Sequence, residues 1–222
     1  MVKTTDNHEK TGLPKLSDNA LIINKLSALA IILFAPASQA YAGYCIAHGL
    51  YKDGETSFYD ERIKLVREYD LHYACLAIIV FGITNTFLAY YPFLHKEVLN
   101  HFRLENLNFR TNSFIYKMAD KKEGEGAAVI LYEDGALGKY NRANRSIYNF
   151  MESSLPIIAA TPLAAVMFPY PSFQCLCAYA LGRFVYQVGY THGGFLAHLP
   201  GFFVERFATF TMLSFLGFAW FE

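Results

Sequence analysis

Polar side chains recur every three or four residues just ahead of a long apolar run in the second half of the chain. Arg142, Arg145, Asn149 and Glu152 share this spacing. If the segment is helical, the four side chains lie on one face of the helix. Charged groups at the mouth of a membrane helix are costly unless they are paired or face a polar cavity. The stripe therefore predicts either a ligand site or a set of contacts that join helices.

The composition indicates that this stripe belongs to a membrane protein. The chain has 222 residues, of which 54% are hydrophobic and 17% charged, and its mean hydropathy is +0.20. These values are typical of a small membrane protein with one sizeable polar segment. The formal net charge is zero, so nothing points to nucleic acid as a partner. The four cysteines lack zinc-type spacing, and we expect no metal site.

The apolar segments predict an all-α integral membrane fold built on a four-helix bundle. The segment from His72 to Leu94 carries no formal charge and is long enough to cross about 30 Å of hydrocarbon. Three more segments follow, at about 147–168, about 173–191 and about 201–221. We therefore expect a membrane domain over 72–222, interrupted by a long polar loop at about 96–140. Within the loop, Gly124 to Gly135 predicts a β-hairpin or an irregular lid.

The first 71 residues are expected to form an N-terminal extension, made of an extra apolar helix and a polar linker. The apolar run from Leu21 to Ala47 is interrupted by Asn24, Lys25 and Pro36. We interpret it as an uncleaved helix that spans the membrane or lies on it. Its end, from Ala40 to Gly43, resembles a signal-peptidase site, so cleavage and organelle targeting are the alternatives.

Topology predicts that a second polar stripe lies close to the first. Four consecutive crossings put the start of the second bundle helix and the end of the third on the same membrane side. Arg183, Tyr186 and Tyr190 are spaced three and four residues apart at that end. Basic residues concentrate in the long loop, which places both stripes on the cytoplasmic or equivalent side. The stripes can converge into an electropositive pocket, or they can form a purely structural network of paired charges.

The two stripes together resemble the signature of the MAPEG family, membrane-associated proteins in eicosanoid and glutathione metabolism. The pattern is Arg145-x-x-x-Asn149-x-x-Glu152-x-x-x-Pro156, followed by Gly182-Arg183-x-x-Tyr186-x-x-Gly189-Tyr190. The resemblance covers roughly 140–222 and more weakly 72–94, so the chain is similar to a divergent member with N-terminal and loop additions. It implies a four-helix protomer in a homotrimer, with glutathione as co-substrate between neighbouring subunits.

The resemblance also implies a role for individual residues. Arg145 would bind a glutathione carboxylate, for which its planar guanidinium is suited. Asn149 and Glu152 would bind the amide and the γ-glutamyl amino end, and Tyr186 and Tyr190 would close on the peptide from the next subunit. The full glutathione-binding set implied in this way is Arg142, Arg145, Asn149, Glu152, Arg183, Tyr186 and Tyr190.

One departure from the family pattern bears on catalysis. Family enzymes carry an arginine shortly before the glycine that opens the fourth helix, where it stabilises the glutathione thiolate. This chain has no arginine between Arg183 and Arg206. His198 lies nearest to the expected place and His192 is second, and a neutral histidine supplies a hydrogen bond rather than a fixed charge. His198 and Tyr190 are therefore the candidate catalytic residues.

Two functions follow from the resemblance. The first is a membrane glutathione transferase or peroxidase that acts on a lipophilic substrate or lipid from the bilayer. The alternative is a non-catalytic accessory subunit of a larger complex, such as an organellar inner-membrane assembly, with unrelated membrane subunits as partners. In both cases we expect a multi-pass protein of the endoplasmic reticulum or of a mitochondrial or other organellar membrane.

Overall fold

The computed structural model describes residues 18–53, 56–98, 114–118 and 128–221, and these are mostly helical. Two short strands, β1 (Tyr116–Met118) and β2 (Val129–Leu131), lie between the third and fourth α-helices. A 3₁₀ helix, Tyr91–Val98, directly continues the third α-helix. The α-helices are α1 (Asp18–Asp53), α2 (Thr56–Glu68), α3 (His72–Tyr90), α4 (Gly135–Met167), α5 (Pro169–Gly193) and α6 (Leu199–Phe221).

Helices α3 to α6 form the bundle, which confirms the predicted all-α membrane fold. α3 (extended by the 3₁₀ helix to His95), α4 and α6 are each long and apolar enough to cross a membrane. α5 has 25 residues, about 37 Å at about 1.5 Å per residue, and it packs against all three. Its polar side chains Arg183 and Gln187 are buried inside the bundle.

The bundle core combines alanines from α3, α4 and α6 with larger side chains from all four helices. Alanines on α4 let neighbouring helices approach closely, as small residues do in membrane bundles. Pro156 and Pro162 lie inside α4 without ending it. The buried apolar core consists of Ala77, Leu88, Phe150, Ile157, Ala160, Ala164, Leu176, Tyr179, Ala208 and Met212.

Two glycines set the spacing between α5 and α6. A Cβ atom added to Gly182 would lie 2.7 Å from the backbone nitrogen of Glu205. One added to Gly201 would overlap the backbone of Tyr186 and Gly182. The two helices can therefore approach this closely only without side chains at these positions. The approach brings Arg183 next to Glu205.

Helix α4 begins at Gly135, earlier than the sequence pattern predicted and inside the expected polar loop. The first turns of α4 carry charged residues, so a search for apolar runs does not include them. One face of these turns is nevertheless buried, through Leu137, Tyr140 and Ala143. The polar start of α4 thus packs on the bundle and is not part of the loop.

The predicted hairpin is present, but its first strand lies earlier in the chain than expected. β1 and β2 pair antiparallel, with Lys117 opposite Ile130. Most of the predicted segment before β2 lies outside the described residues. Buried Asn141 of α4 attaches the hairpin: its Nδ2 donates to the carbonyl oxygens of Ile115 and Tyr132, each at 2.7 Å, and its Oδ1 accepts from the Ile115 amide at 3.0 Å. The start of α4 and the hairpin therefore form one unit.

The N-terminal extension contains the expected extra helix, α1. α1 runs antiparallel to α3. It packs against the 3₁₀ segment after α3, where Leu26 and Leu29 line a hollow together with Tyr91. Near its other end, Tyr51 bonds to Asp60 of α2, which precedes α3. Whether α1 spans the membrane, lies on it or is removed stays a prediction.

Candidate functional site

Arg183 of α5 lies at the centre of the polar stripes and is fully buried. Its Nη1 donates to Glu205 Oε2 at 2.6 Å and to Asn149 Oδ1 at 3.1 Å, and its Nη2 donates to the Ser146 carbonyl at 3.1 Å. The guanidinium also lies 4.5 Å from the centre of the Tyr186 ring. Arg183 therefore joins α4, α5 and α6 through one charged group.

This arrangement divides the implied glutathione-binding set. The Arg183 guanidinium forms an ion pair with Glu205, which is itself 1% exposed. The side-chain oxygen of Asn149 accepts a hydrogen bond from Arg183. The sequence did not predict the role of Glu205, although a lone acid inside an apolar helix was a usable signal. This part of the stripe therefore forms a network of paired charges between helices, which was the alternative interpretation of the stripe.

Arg142 is also held by protein groups. Its Nε donates to the carbonyl of Thr191 at 3.1 Å, and its Nη1 donates to the carbonyl of Glu133 at 2.7 Å. Nearby, Gln187 Nε2 donates to the carbonyl of Ala143 at 3.1 Å. These bonds join the end of α5 to α4 and to the chain that leaves the hairpin.

Arg145 and Glu152 behave differently from the rest of the stripe. Both are exposed, and neither forms a hydrogen bond or an ion pair with another residue in the described ranges. They lie two turns apart on the same face of α4. The Arg145 guanidinium is within electrostatic range of the Tyr186 phenol. These two side chains are therefore available to a ligand or to a neighbouring subunit.

Tyr186, Tyr190 and His198 form an aromatic cluster at the junction of α5 and α6. The ring centre of His198 lies 4.8 Å from that of Tyr186 and 5.6 Å from that of Tyr190, and the two tyrosine ring centres are 6.0 Å apart. His198 is only 7% exposed, and its Nδ1 has no hydrogen-bond partner within the described part of the chain. The cluster therefore places a buried imidazole next to two phenols.

His192 belongs to a different environment from His198. Its Nε2 lies 3.3 Å from the Tyr91 hydroxyl, and its ring centre is 5.3 Å from that of His95. Tyr190 and His192 are two residues apart on a helix, so they point in nearly opposite directions. Of the two histidines considered for catalysis, only His198 lies beside the tyrosines.

Residues 110–218 match the family model named MAPEG. The chain belongs to the MAPEG family. The match includes the hairpin, α4, α5 and most of α6, so both polar stripes lie inside it, whereas α1, α2 and α3 lie outside. Comparisons with curated proteins and with solved structures found no match. Family membership and the candidate membrane helices together establish a membrane protein related to eicosanoid and glutathione metabolism.

In this MAPEG-family protein, Arg206 is not placed as a substitute for the arginine that activates the thiol. Its Nε lies 3.6 Å from Glu205 Oε1 on the same helix, and its guanidinium is 5.3 Å from the centre of the Phe202 ring. It therefore forms the outer edge of the Arg183–Glu205 network. Within the described ranges, no group of three histidine, cysteine or acidic residues is positioned to hold a metal ion.

Proposed function

We propose that this MAPEG-family protein binds glutathione and acts as a membrane glutathione transferase or peroxidase on lipophilic substrates from the bilayer. The observation that carries the proposal is that Arg145 and Glu152 are exposed on one face of α4 and bond to no other residue in the part of the chain that the structure describes. A cation and an anion that have no partner among the described residues match a ligand that carries both a carboxylate and an ammonium group. Glutathione is such a ligand.

The spacing on α4 suits a small extended peptide. Seven residues of helix separate Arg145 from Glu152 by about 10 Å along the axis. The Arg145 guanidinium would bind a carboxylate through two parallel hydrogen bonds. The Glu152 carboxylate would accept hydrogen bonds from the γ-glutamyl ammonium. Asn149 lies between them and would donate from Nδ2, since its Oδ1 accepts from Arg183.

In this proposal the aromatic cluster of Tyr186, Tyr190 and His198 activates the glutathione thiol. A free thiol has a pKa near 8.5, so hydrogen-bond donors must stabilise its thiolate for attack near neutral pH. We assign His198 and the hydroxyl of Tyr190 as the donors, since both rings lie next to Tyr186, which is within electrostatic range of Arg145. Neutral donors stabilise a thiolate less than a fixed positive charge does, so we expect slow turnover.

The oligomer proposed with this function is a homotrimer. Arg145 and Glu152 are exposed on the surface of the single chain. A neighbouring subunit would cover them and enclose the bound peptide. The membrane is proposed to be the endoplasmic reticulum or that of a mitochondrion or other organelle.

The proposal is tested by turnover of purified protein in detergent. We expect conjugation of glutathione to a chlorodinitrobenzene-type substrate, and a large increase in KM for glutathione in Glu152→Gln. The matched control is Glu133→Gln, which removes an exposed carboxylate whose side chain has no place in the site. A protein that neither binds nor conjugates glutathione would refute the proposal.

The second candidate function is a non-catalytic accessory subunit of a larger membrane complex. The observation that favours it is the Arg183–Glu205 network, in which polar side chains of the stripes bond to each other and hold helices together. The partners would be unrelated membrane subunits, and the N-terminal helices would supply additional contact surface. Native mass spectrometry of the protein from its own membrane separates the two: an active homotrimer supports the enzyme, and one copy among unrelated subunits supports the accessory role.

A further inference from the structure

Two histidines and a tyrosine lie together beside the end of α5. Tyr91 and His95 belong to the 3₁₀ helix, and His192 belongs to the last turn of α5. The Tyr91 hydroxyl lies 3.3 Å from His192 Nε2. The ring centre of His95 lies 5.4 Å from that of Tyr91 and 5.3 Å from that of His192. These three side chains, the histidine–tyrosine trio, are therefore mutual neighbours.

The separations within the trio are those of ligands that share one metal ion. Zinc binds nitrogen and oxygen ligands at about 2.0–2.2 Å, almost always with tetrahedral geometry. Two such ligand atoms lie about 3.3 Å apart, and two imidazoles on one ion have ring centres about 5 Å apart. The contact between Tyr91 and His192 and the pair of His95 and His192 have these separations. A hydrogen bond between a hydroxyl and a ring nitrogen is usually shorter, at about 2.7–3.0 Å.

The donor types and their surroundings also suit zinc. Imidazole nitrogen is a usual zinc ligand, and a phenolate supplies the anionic oxygen that a carboxylate supplies in other two-histidine sites. Nε2 of His95 is buried, so this nitrogen faces the protein rather than solvent. Leu26, Leu29 and Leu94 line a hollow of about 330 Å³ together with the trio. The hollow leaves room for a fourth ligand, and its leucines make the surroundings less polar, which strengthens the attraction between a cation and a phenolate.

We propose that Tyr91, His95 and His192 bind one zinc ion, with a water molecule as the fourth ligand. Tyr91 binds as the phenolate, and its proton is released when the metal binds. Lys139 and Arg142 lie within electrostatic range of His192, and their charge opposes a bound cation. The phenolate offsets part of this repulsion, so we expect micromolar rather than nanomolar affinity.

The zinc ion would join two parts of the fold that are far apart in the chain. It would fix the extension of α3, which carries Tyr91 and His95, to the end of α5, and metal binding of this kind stabilises the folded state. The site uses no cysteine, so the cysteine spacing could not indicate it. The inference does not depend on the proposed function, because none of the three side chains belongs to the proposed glutathione-binding set.

The test is zinc binding by the full-length protein in detergent, without a polyhistidine tag, measured by competition with a chromophoric zinc chelator. We expect one zinc ion per chain. His95→Phe and His192→Phe should each weaken binding at least about tenfold, since the loss of even an outer-shell partner costs about 10–100-fold. His48→Phe removes an exposed histidine of α1 and should bind like wild type. The absence of zinc binding, or equal affinities of the wild type and both trio variants, would overturn the proposal.

Cobalt(II) in place of zinc reports the geometry of the site and the role of the phenol. Tetrahedral cobalt absorbs visible light much more strongly than octahedral cobalt, so we expect strong visible bands. Tyr91→Phe loses a single oxygen atom and should change these bands and abolish proton release, whereas Tyr90→Phe should do neither. Weak octahedral bands, or an unchanged spectrum in Tyr91→Phe, would overturn the proposal. Circular dichroism without metal checks that each variant is folded, and Tyr91→Phe keeps the test decisive if a histidine variant does not fold.

Discussion

The buried ion pair between Arg183 and Glu205 leads to a sharp prediction about stability. Arg183→Met removes a guanidinium that donates to Glu205, Asn149 and Ser146, and it leaves Glu205 buried at 1% exposure. Breaking a buried pair by removing one partner costs about 3–5 kcal/mol, because the remaining charge has lost its compensation. The residual contact with Arg206, at 3.6 Å, places the expected loss nearer to about 3 kcal/mol.

Arg206 supplies a matched control for this experiment. It contacts the same carboxylate but is 34% exposed, and a partly exposed pair is worth about 0–1 kcal/mol. Arg206→Met should therefore destabilise the protein by about 1 kcal/mol or less. The double variant Arg183→Met/Glu205→Met should be more stable than Arg183→Met alone, since it removes the uncompensated charge.

The free energy of unfolding can be measured by titration with dodecyl sulfate in mixed micelles, followed by circular dichroism. The expected order of stability is wild type, Arg206→Met, the double variant and then Arg183→Met. Equal losses for Arg183→Met and Arg206→Met would refute the structural role assigned to Arg183.

Three further predictions concern other parts of the bundle and the site. Gly201→Ala should destabilise the protein by about 1–3 kcal/mol because its Cβ meets backbone atoms, whereas Gly217→Ala, with open space around it, should not. Asn141→Leu should speed hydrogen exchange in residues 114–118 and 128–132, because three hydrogen bonds to the hairpin are lost, and the exposed Asn85→Leu should not. His198→Phe should lower the conjugation rate by about a hundredfold with little change in glutathione affinity, and His192→Phe should leave the rate unchanged.

Each of these predictions has a definite contradicting result. Equal stability of Gly201→Ala and Gly217→Ala would mean that α5 and α6 are not in close contact at Gly201. Unchanged exchange in Asn141→Leu would mean that the hairpin is held by other contacts. Full activity of His198→Phe would show that the imidazole has no role in the proposed mechanism.

The fold was predictable from the sequence where burial and lipid contact impose the same apolar pattern. The bundle helices and the extra N-terminal helix were identified in this way. The family was identified from the resemblance of the two polar stripes to its signature, and the family model confirms it. The start of α4 was missed because Lys139, Arg142 and Arg145 interrupt the apolar run. Burial of Leu137 and Tyr140 on the opposite face stabilises the helix there.

The positions of the two polar stripes were predictable from the sequence, but the pairing of their side chains was not. Helical spacing placed Arg183 and Tyr186 on one stripe, and topology placed that stripe beside α4. The partner of Arg183 could not be predicted, because Glu205 meets it only where Gly182 and Gly201 let two helices approach. Spacing within one helix carries no information about such a contact. The division of the stripe into buried and exposed parts follows from that packing.

The central claim, that the exposed face of α4 binds glutathione, is tested most directly by calorimetric titration of the purified protein with glutathione. The wild-type protein and Lys139→Gln, which removes an exposed cation from the same helix, should bind alike. Arg145→Gln should bind at least about tenfold more weakly, since a charge-assisted hydrogen bond contributes about 1.5–3 kcal/mol. Equal affinities of all three proteins, or no binding by the wild type, would contradict the account.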